Sequence, residues 1–150
     1  MAQTLVSLLV HVVFSTKHRE DFINPEIEDD LYAYLGGVAR KHQSHLLAAG
    51  GTANHVHLLL SQSKNVALSP LIMELKKASS VWIKTKGRKF ANFYWQDGYG
   101  AFSLGQSQIA ALRSYFANQK QHHKKKTFQV ELIEFLKKYE IEYDEGYLWD

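Results

Sequence analysis

The chain has 150 residues, 45% of them hydrophobic and 22% charged, which is ordinary for a globular domain and excludes disordered and collagen-like classes. It contains no cysteine, so disulfide scaffolds, thiolate zinc sites and cysteine nucleophiles are excluded, and its eight histidines, carboxylates and amides are the metal ligands on offer. The net charge of +3 conceals an asymmetry. Residues 1–63 carry four basic and six acidic side chains, 64–126 twelve and two, and 127–150 two and seven, giving −2, +10 and −5. A basic middle third with Trp82, Trp95 and other rings interleaved has the composition of a nucleic-acid surface, where cations meet phosphates and rings stack on bases; a solvated lysine-rich face has the same composition.

One domain over residues 1–150 is expected. No apolar run reaches the roughly 18 residues of a membrane span, and Met-Ala-Gln-Thr does not begin a signal peptide, so the expected location is cytoplasmic, without membrane contact.

Leu5 to Phe14 is an apolar run suited to a central strand covered on both faces. Asn24 and Pro25 predict an N-cap and first position of a helix carrying Ile27, Leu31, Leu35, Val38 and His42, weakened at Gly36 and Gly37. His45–Ala49, the Gly50–Asn54 turn and His55–Ser61 predict a hairpin. Ser69-Pro70 starts a helix with Leu71, Leu75, Ala78 and Trp82 on its apolar side. Tyr94–Phe102 predicts a short last strand. Ser107 caps a helix to about Gln121, and Thr127 begins another with Phe128, Leu132, Phe135, Leu136 and Tyr139 on one side. The order predicts an α+β chain: a ferredoxin-like, RRM-like four-stranded antiparallel sheet with helices on one face and two appended C-terminal helices.

His55-Val56-His57 alternates along a strand, so both imidazoles leave the same face and make half a metal site; a structural pair fits the spacing as well. Tyr115 and Gln119 are four apart on a helix, with Asn118 beside them and His122 a turn further on. A tyrosine there suits an amphipathic core position. It also suits a nucleophile with Gln119 as a neutral oxygen ligand, and a phenol of pKa about 10 then needs a cation or base nearby.

Four stretches occur in order: His11-Val12-Val13-Phe14-Ser15-Thr16-Lys17, Asn54-His55-Val56-His57-Leu58-Leu59, Trp95-Gln96-Asp97-Gly98-Tyr99-Gly100-Ala101-Phe102-Ser103, and Tyr115-Phe116-Ala117-Asn118-Gln119 followed by His122-His123. Together they resemble the HUH single-tyrosine transposases of the insertion-sequence 200/605 family and their REP-associated relatives. The resemblance implies that His55, His57 and Gln119 hold a divalent ion, Mg²⁺ or Mn²⁺, and that Tyr115 attacks single-stranded DNA to form a 5′-phosphotyrosine. It further implies hairpin recognition at element ends, a homodimer, and residence with the nucleoid when DNA is bound. Lys76, Lys77, Lys84, Lys86, Arg88, Lys89, Lys120 and Lys124 to Lys126 are the candidate phosphate contacts, with Arg113 a possible electrostatic helper near the tyrosine.

The segment Gly98 to Gly105, the ring-rich tail of Tyr143, Tyr147, Leu148 and Trp149, and the composite sites that the resemblance implies give the expectation that Tyr115 of one copy faces the histidine pair of another; the alternative is a monomer in which the tail covers its own core and Tyr115 folds back in cis. Two other functions fit the same residues: a non-catalytic, host-adopted binder of structured single strands, and a metal-dependent nuclease that uses water.

Overall fold

Strand β1 (Leu9–Ser15) is buried at every position but Val10, as a central strand covered on two sides must be. The structure is a computed structural model and describes residues 2–150. Helix α1 (Pro25–Lys41) follows, with the Asn24 side chain accepting from the Ile27 amide. The hairpin β2 (His45–Thr52) and β3 (His55–Ser61), helix α2 (Leu68–Lys84) and strand β4 (Gly100–Leu104) complete a sheet of order β2-β3-β1-β4. Every adjacent pair is antiparallel, giving the ferredoxin-like sheet that the order of elements predicts.

The two faces differ in what covers them. Val12, Phe14, Val56, Leu58 and Leu60 point to one side, where they pack with Leu31 and Leu35 of α1 and with Leu71, Leu75 and Ile83 of α2. Val13 and Phe102 point to the other, where Phe128, Leu132 and Leu136 of helix α5 (Phe128–Lys138) seal them. Helix α3 (Ile109–Ala117) and the short α4 (Gln119–His122) lie on β2. The two helices of the ferredoxin-like unit thus share one face, as the order of elements predicts, and the appended C-terminal elements, whose place the sequence left open, return across the other.

Three differences have local causes. Leu5, Val6 and Leu8 are exposed and precede β1. The predicted tyrosine helix is broken at Asn118, between α3 and α4. The last strand begins at Gly100, not Tyr94, because the preceding backbone is satisfied elsewhere. Lys76 Nζ donates to the carbonyls of Gln96, Asp97 and Gly98 at 2.8, 3.1 and 2.6 Å, and the amides of Asp97 and Gly98 donate to the carbonyl oxygen of Asp150. Among the described residues no helix is long and apolar enough to cross a membrane.

Candidate active site

Alternation along β3 sends Val56 and Leu58 into the α1/α2 core and His55 and His57 to the opposite face, both fully buried. His57 pairs in register with Gly50 of β2 and Val13 of β1. Gly50 has a steric reason to lack a side chain: a Cβ there would lie 2.6 Å from the carbonyl oxygen of Phe116 and 2.8 Å from its Cβ. The bare backbone lets α3 settle on the sheet, with the Phe116 ring 5.3 Å from His11 and 5.4 Å from His57. Tyr115, the preceding residue, thereby reaches the histidines; its ring meets His57 edge-on at 5.6 Å.

The hub of the site is Glu131 on α5, 2% exposed. Its Oε1 lies 3.0 Å from His57 Nε2, 3.1 Å from His123 Nε2 and 3.5 Å from His55 Nε2. Its Oε2 accepts from the Tyr115 hydroxyl and from Gln119 Nε2, the latter at 3.1 Å. Gln119 Oε1 faces His55 Nε2 at 3.0 Å. His55, His57, Tyr115 and Gln119 thus converge within one chain. The tyrosine expected to face another copy's histidines instead meets its own. Tyr143, Leu148 and Trp149, whose rings argued for pairing, pack against the α5 core of their own chain. The cause is the Gly50 seat, which holds α3 on its own sheet.

Glu131, His123 and His11 were not singled out as site residues in the sequence. His11 Nε2 lies 2.8 Å from His57 Nδ1 and fixes that ring. A signal for Glu131 was present: it falls inside the stripe of Phe128, Leu132, Phe135 and Leu136, where a charged residue has no reason to be unless it is partnered.

Burial governs the electrostatics. Desolvation, with help from the neighbouring His57, lowers both His55 and His11 from 6.5 to about 3, so both rings are neutral. Burial also works against the charged form of Glu131, but His123, His57 and the Tyr115 hydroxyl outweigh it and hold the carboxyl well below the usual range. Tyr115 is pushed up, first by burial and then by the Glu131 carboxylate. The phenol therefore resists ionisation unless positive charge enters.

The donor set fits a cation. A neutral His55 has one ring proton; its Nδ1 faces Asn54 Oδ1 at 2.8 Å and the Thr52 hydroxyl at 3.0 Å, and its Nε2 faces Gln119 Oε1 at 3.0 Å. Gln119 cannot reverse its amide, since its nitrogen donates to Glu131. With the proton on Nδ1, the Nε2 lone pair is left pointing at an oxygen, an arrangement that a cation between them satisfies. The ligand atoms of His55, His57, His123 and Glu131 all lie within 4.8 Å of one another.

The cations of the middle third are divided between the two faces. On the α2 side, Lys76 is held by its three carbonyls, and burial lowers it to about 8. Lys84 lies over the Tyr94 ring at 4.3 Å and Lys86 over Trp82 at 4.9 Å. Lys89 pairs with Glu26 at 3.4 Å, while Lys77 and Arg88 are exposed. On the site's side, Arg113 is exposed on α3, Lys120 binds Glu28 at 2.8 Å and Lys126 binds Glu134 at 2.6 Å. Arg19, Lys120, Lys124 and Lys126 rim a groove of about 520 Å³ that reaches His123. A second cavity of about 430 Å³ opens beside Tyr115, walled by Leu104, Leu112, Phe135 and Tyr139.

Residues 4–119 match the family described as transposase, IS200-like. The chain is 23% identical over 114 residues to the ISDra2 transposase TnpA of Deinococcus radiodurans, covering 73% of this chain and 81% of that protein. Among solved structures it is similar to a Deinococcus radiodurans R1 protein provisionally assigned as a transposase, at TM-score 0.62 and 22% identity over 79% of this chain and 95% of that one. It is also similar to a REP-associated tyrosine transposase bound to a REP hairpin, at TM-score 0.59 and 12% identity, covering 82% and 73% of the two chains.

Proposed function

The chain belongs to the IS200-like transposase family, and from that premise we propose that it cleaves and rejoins single-stranded DNA at hairpin-marked ends through Tyr115 and a divalent cation. The observation that carries this reading is the meeting of Tyr115 and Gln119 with His55 and His57 at Glu131, inside one chain.

In the first step Tyr115 Oη attacks phosphorus, an O–P bond to the phenol forms, and the bond from phosphorus to the 3′-oxygen breaks. The 5′-phosphate stays on the tyrosine and a 3′-hydroxyl leaves. Rejoining reverses the exchange, with a 3′-hydroxyl attacking and the phenol leaving, so no bond energy is lost between steps. Glu131 Oε2 already accepts the hydroxyl hydrogen of Tyr115, which makes it the receiver of the phenolic proton as Oη attacks. His55, His57 and Gln119 hold the cation, Mg²⁺ or Mn²⁺, which when bound stabilises charge on the phosphate oxygens and the departing 3′-oxygen. Asn54 and His11 orient the two imidazoles through their Nδ1 atoms. The rim of Arg19, Lys120, Lys124 and Lys126 offers the cations along which a phosphate backbone approaches. The similarity to the hairpin-bound REP-associated enzyme supports a folded single strand as substrate. A homodimer in this reading brings one self-contained site to each of two ends.

The test is incubation of the wild type and Tyr115→Phe with labelled single-stranded hairpins and Mn²⁺, read by denaturing gel and mass spectrometry. The wild type should cleave and carry a DNA–tyrosine adduct, whereas the variant should bind hairpins with near-normal affinity and cleave nothing. Cleavage that survives in Tyr115→Phe refutes the covalent route and favours the water-using nuclease.

A further inference from the structure

We infer that Glu131 is itself a ligand of the cation, joined by His123, so that the centre draws on α5 and its approach as well as on β3 and α4. This rests on the metal reading above and extends it, since the histidine pair and Gln119 supply only neutral ligands.

Three observations carry it. The first is charge. Glu131 is a buried carboxylate whose ion-pair partners among the described residues are all imidazoles. No lysine or arginine among the described residues compensates it, so its counter-charge must come from the imidazoles or from a cation that joins them.

The second is the division of labour between the two oxygens. Oε1 faces His55, His57 and His123, three nitrogens able to present lone pairs, at 3.5, 3.0 and 3.1 Å. Oε2 takes both hydrogen bonds from the nucleophile helices, those of Tyr115 and Gln119. One oxygen is thus turned toward the metal ligands while the other stays with the tyrosine.

The third is His123. Its Nε2 is buried and finds no hydrogen-bond partner, although it lies 3.1 Å from Glu131 Oε1. A nitrogen without a hydrogen-bond partner beside a carboxylate that meets no lysine or arginine is a pair that a shared cation would satisfy.

With three imidazoles, one carboxylate and the Gln119 amide oxygen the site favours a first-row ion such as Mn²⁺ over Mg²⁺, which prefers oxygen and water. Occupancy would also fasten α5 to the sheet, because ligands from β3 and from α5 would share one ion.

The experiment measures Mn²⁺ binding to the full chain in the absence of DNA, by calorimetry and by the loss of the free-ion electron paramagnetic signal. The proteins are the wild type, His57→Ala, Glu131→Gln and His123→Ala. Glu131→Gln keeps the shape and both polar atoms; His123→Ala changes a residue at the rim of the site, so it remains informative should the first variant fold poorly. The wild type should bind one Mn²⁺ per chain and melt at higher temperature with the ion. His57→Ala, Glu131→Gln and His123→Ala should each lose at least about tenfold in affinity, and Glu131→Gln should also lose the gain in melting temperature. Unchanged or tighter binding by Glu131→Gln, with binding lost in His57→Ala, would overturn Glu131 as a ligand and leave the metal reading intact. Unchanged binding by His123→Ala would remove His123 from the set. A wild type that binds no Mn²⁺ at millimolar concentration would end the metal reading and this inference with it.

Discussion

Gly50→Ala tests whether the sheet positions Tyr115. The new Cβ would lie 2.6 Å from the carbonyl oxygen of Phe116 and 2.8 Å from its Cβ. Neither neighbour is the flexible end of a side chain, so α3 must retreat by about 0.4 Å to reach 3.0 Å, the closest approach that such contacts tolerate. Overfilling of this kind costs about 1–3 kcal/mol of stability. Tyr115 rides on the moved helix and Gln119 follows it, while His55, His57 and Glu131 stay on β3 and α5. A displacement of about 1 Å costs on the order of 100-fold in rate, so a retreat of about half that predicts roughly a tenfold loss. The assay is single-turnover cleavage of a hairpin substrate beside a DNA-binding titration and thermal melting. Binding should change less than cleavage, since only Lys120 of the groove's cations sits beside the Gly50 contact, while Arg19, Lys124 and Lys126 lie away from it. Gly37→Ala is the control: its Cβ would meet nothing closer than Arg40 Nη2 at 3.8 Å, and it should leave cleavage intact and stabilise α1 slightly. Wild-type cleavage and melting in Gly50→Ala would refute the claim that α3 is seated on this glycine.

The metal-free protein should lose stability in mild acid. His11 and His55 sit at about 3 when folded, against 6.5 in an unfolded chain, so below pH 6.5 the unfolded state binds more protons and stability falls with pH at up to roughly 3 kcal/mol per unit for the pair. Glu131, held ionised in the fold, adds to the loss below the ordinary carboxylate range; urea midpoints that stay flat between pH 7 and 5 in chelator would contradict this. Asn54→Ala should weaken Mn²⁺ binding by about 10–100-fold by removing a partner that orients His55 through Nδ1, measurable by calorimetry; an unchanged dissociation constant would show that the asparagine does not set the ring's orientation. Tyr115→Phe mixed with His57→Ala should remain inactive after subunit exchange, because each chain holds its own incomplete site; recovered cleavage would mean that tyrosines are exchanged between copies.

Much of the fold was legible because local chemistry and tertiary packing agree. Asn24 and Thr127 cap the helices that they announce, and alternation across His55, Val56 and His57 sorts the two faces of β3. The site was legible as far as each residue could be recognised within its own element. Glu131 was not, because its role depends on α5 crossing to the histidine face of the sheet, and neither charge nor periodicity says which face a helix will choose. The cis placement of Tyr115 was hidden for a similar reason. It depends on what Gly50 lacks, and a glycine after a strand reads as a turn, not as a seat for a helix. Lys76 shows the same limit: in a charge count it is a free cation, while in the fold it holds the backbone before β4.

Covering both faces of the sheet has a consequence for how a strand of DNA is met. Proteins with a similar four-stranded sheet often leave one face bare and stack unpaired bases on its rings. Here that face lies under α3, α4 and α5, and its aromatic residue Phe102 is stacked on Phe135 and Tyr139 of the same chain. No nucleotide can lie across the strands. In the function proposed above, contact would come from helix surfaces and loop edges, so the protein would grip the outline of a folded strand and admit only the phosphate to be cut, and discrimination between sequences would fall to whatever bases the grip leaves unpaired beside Tyr115.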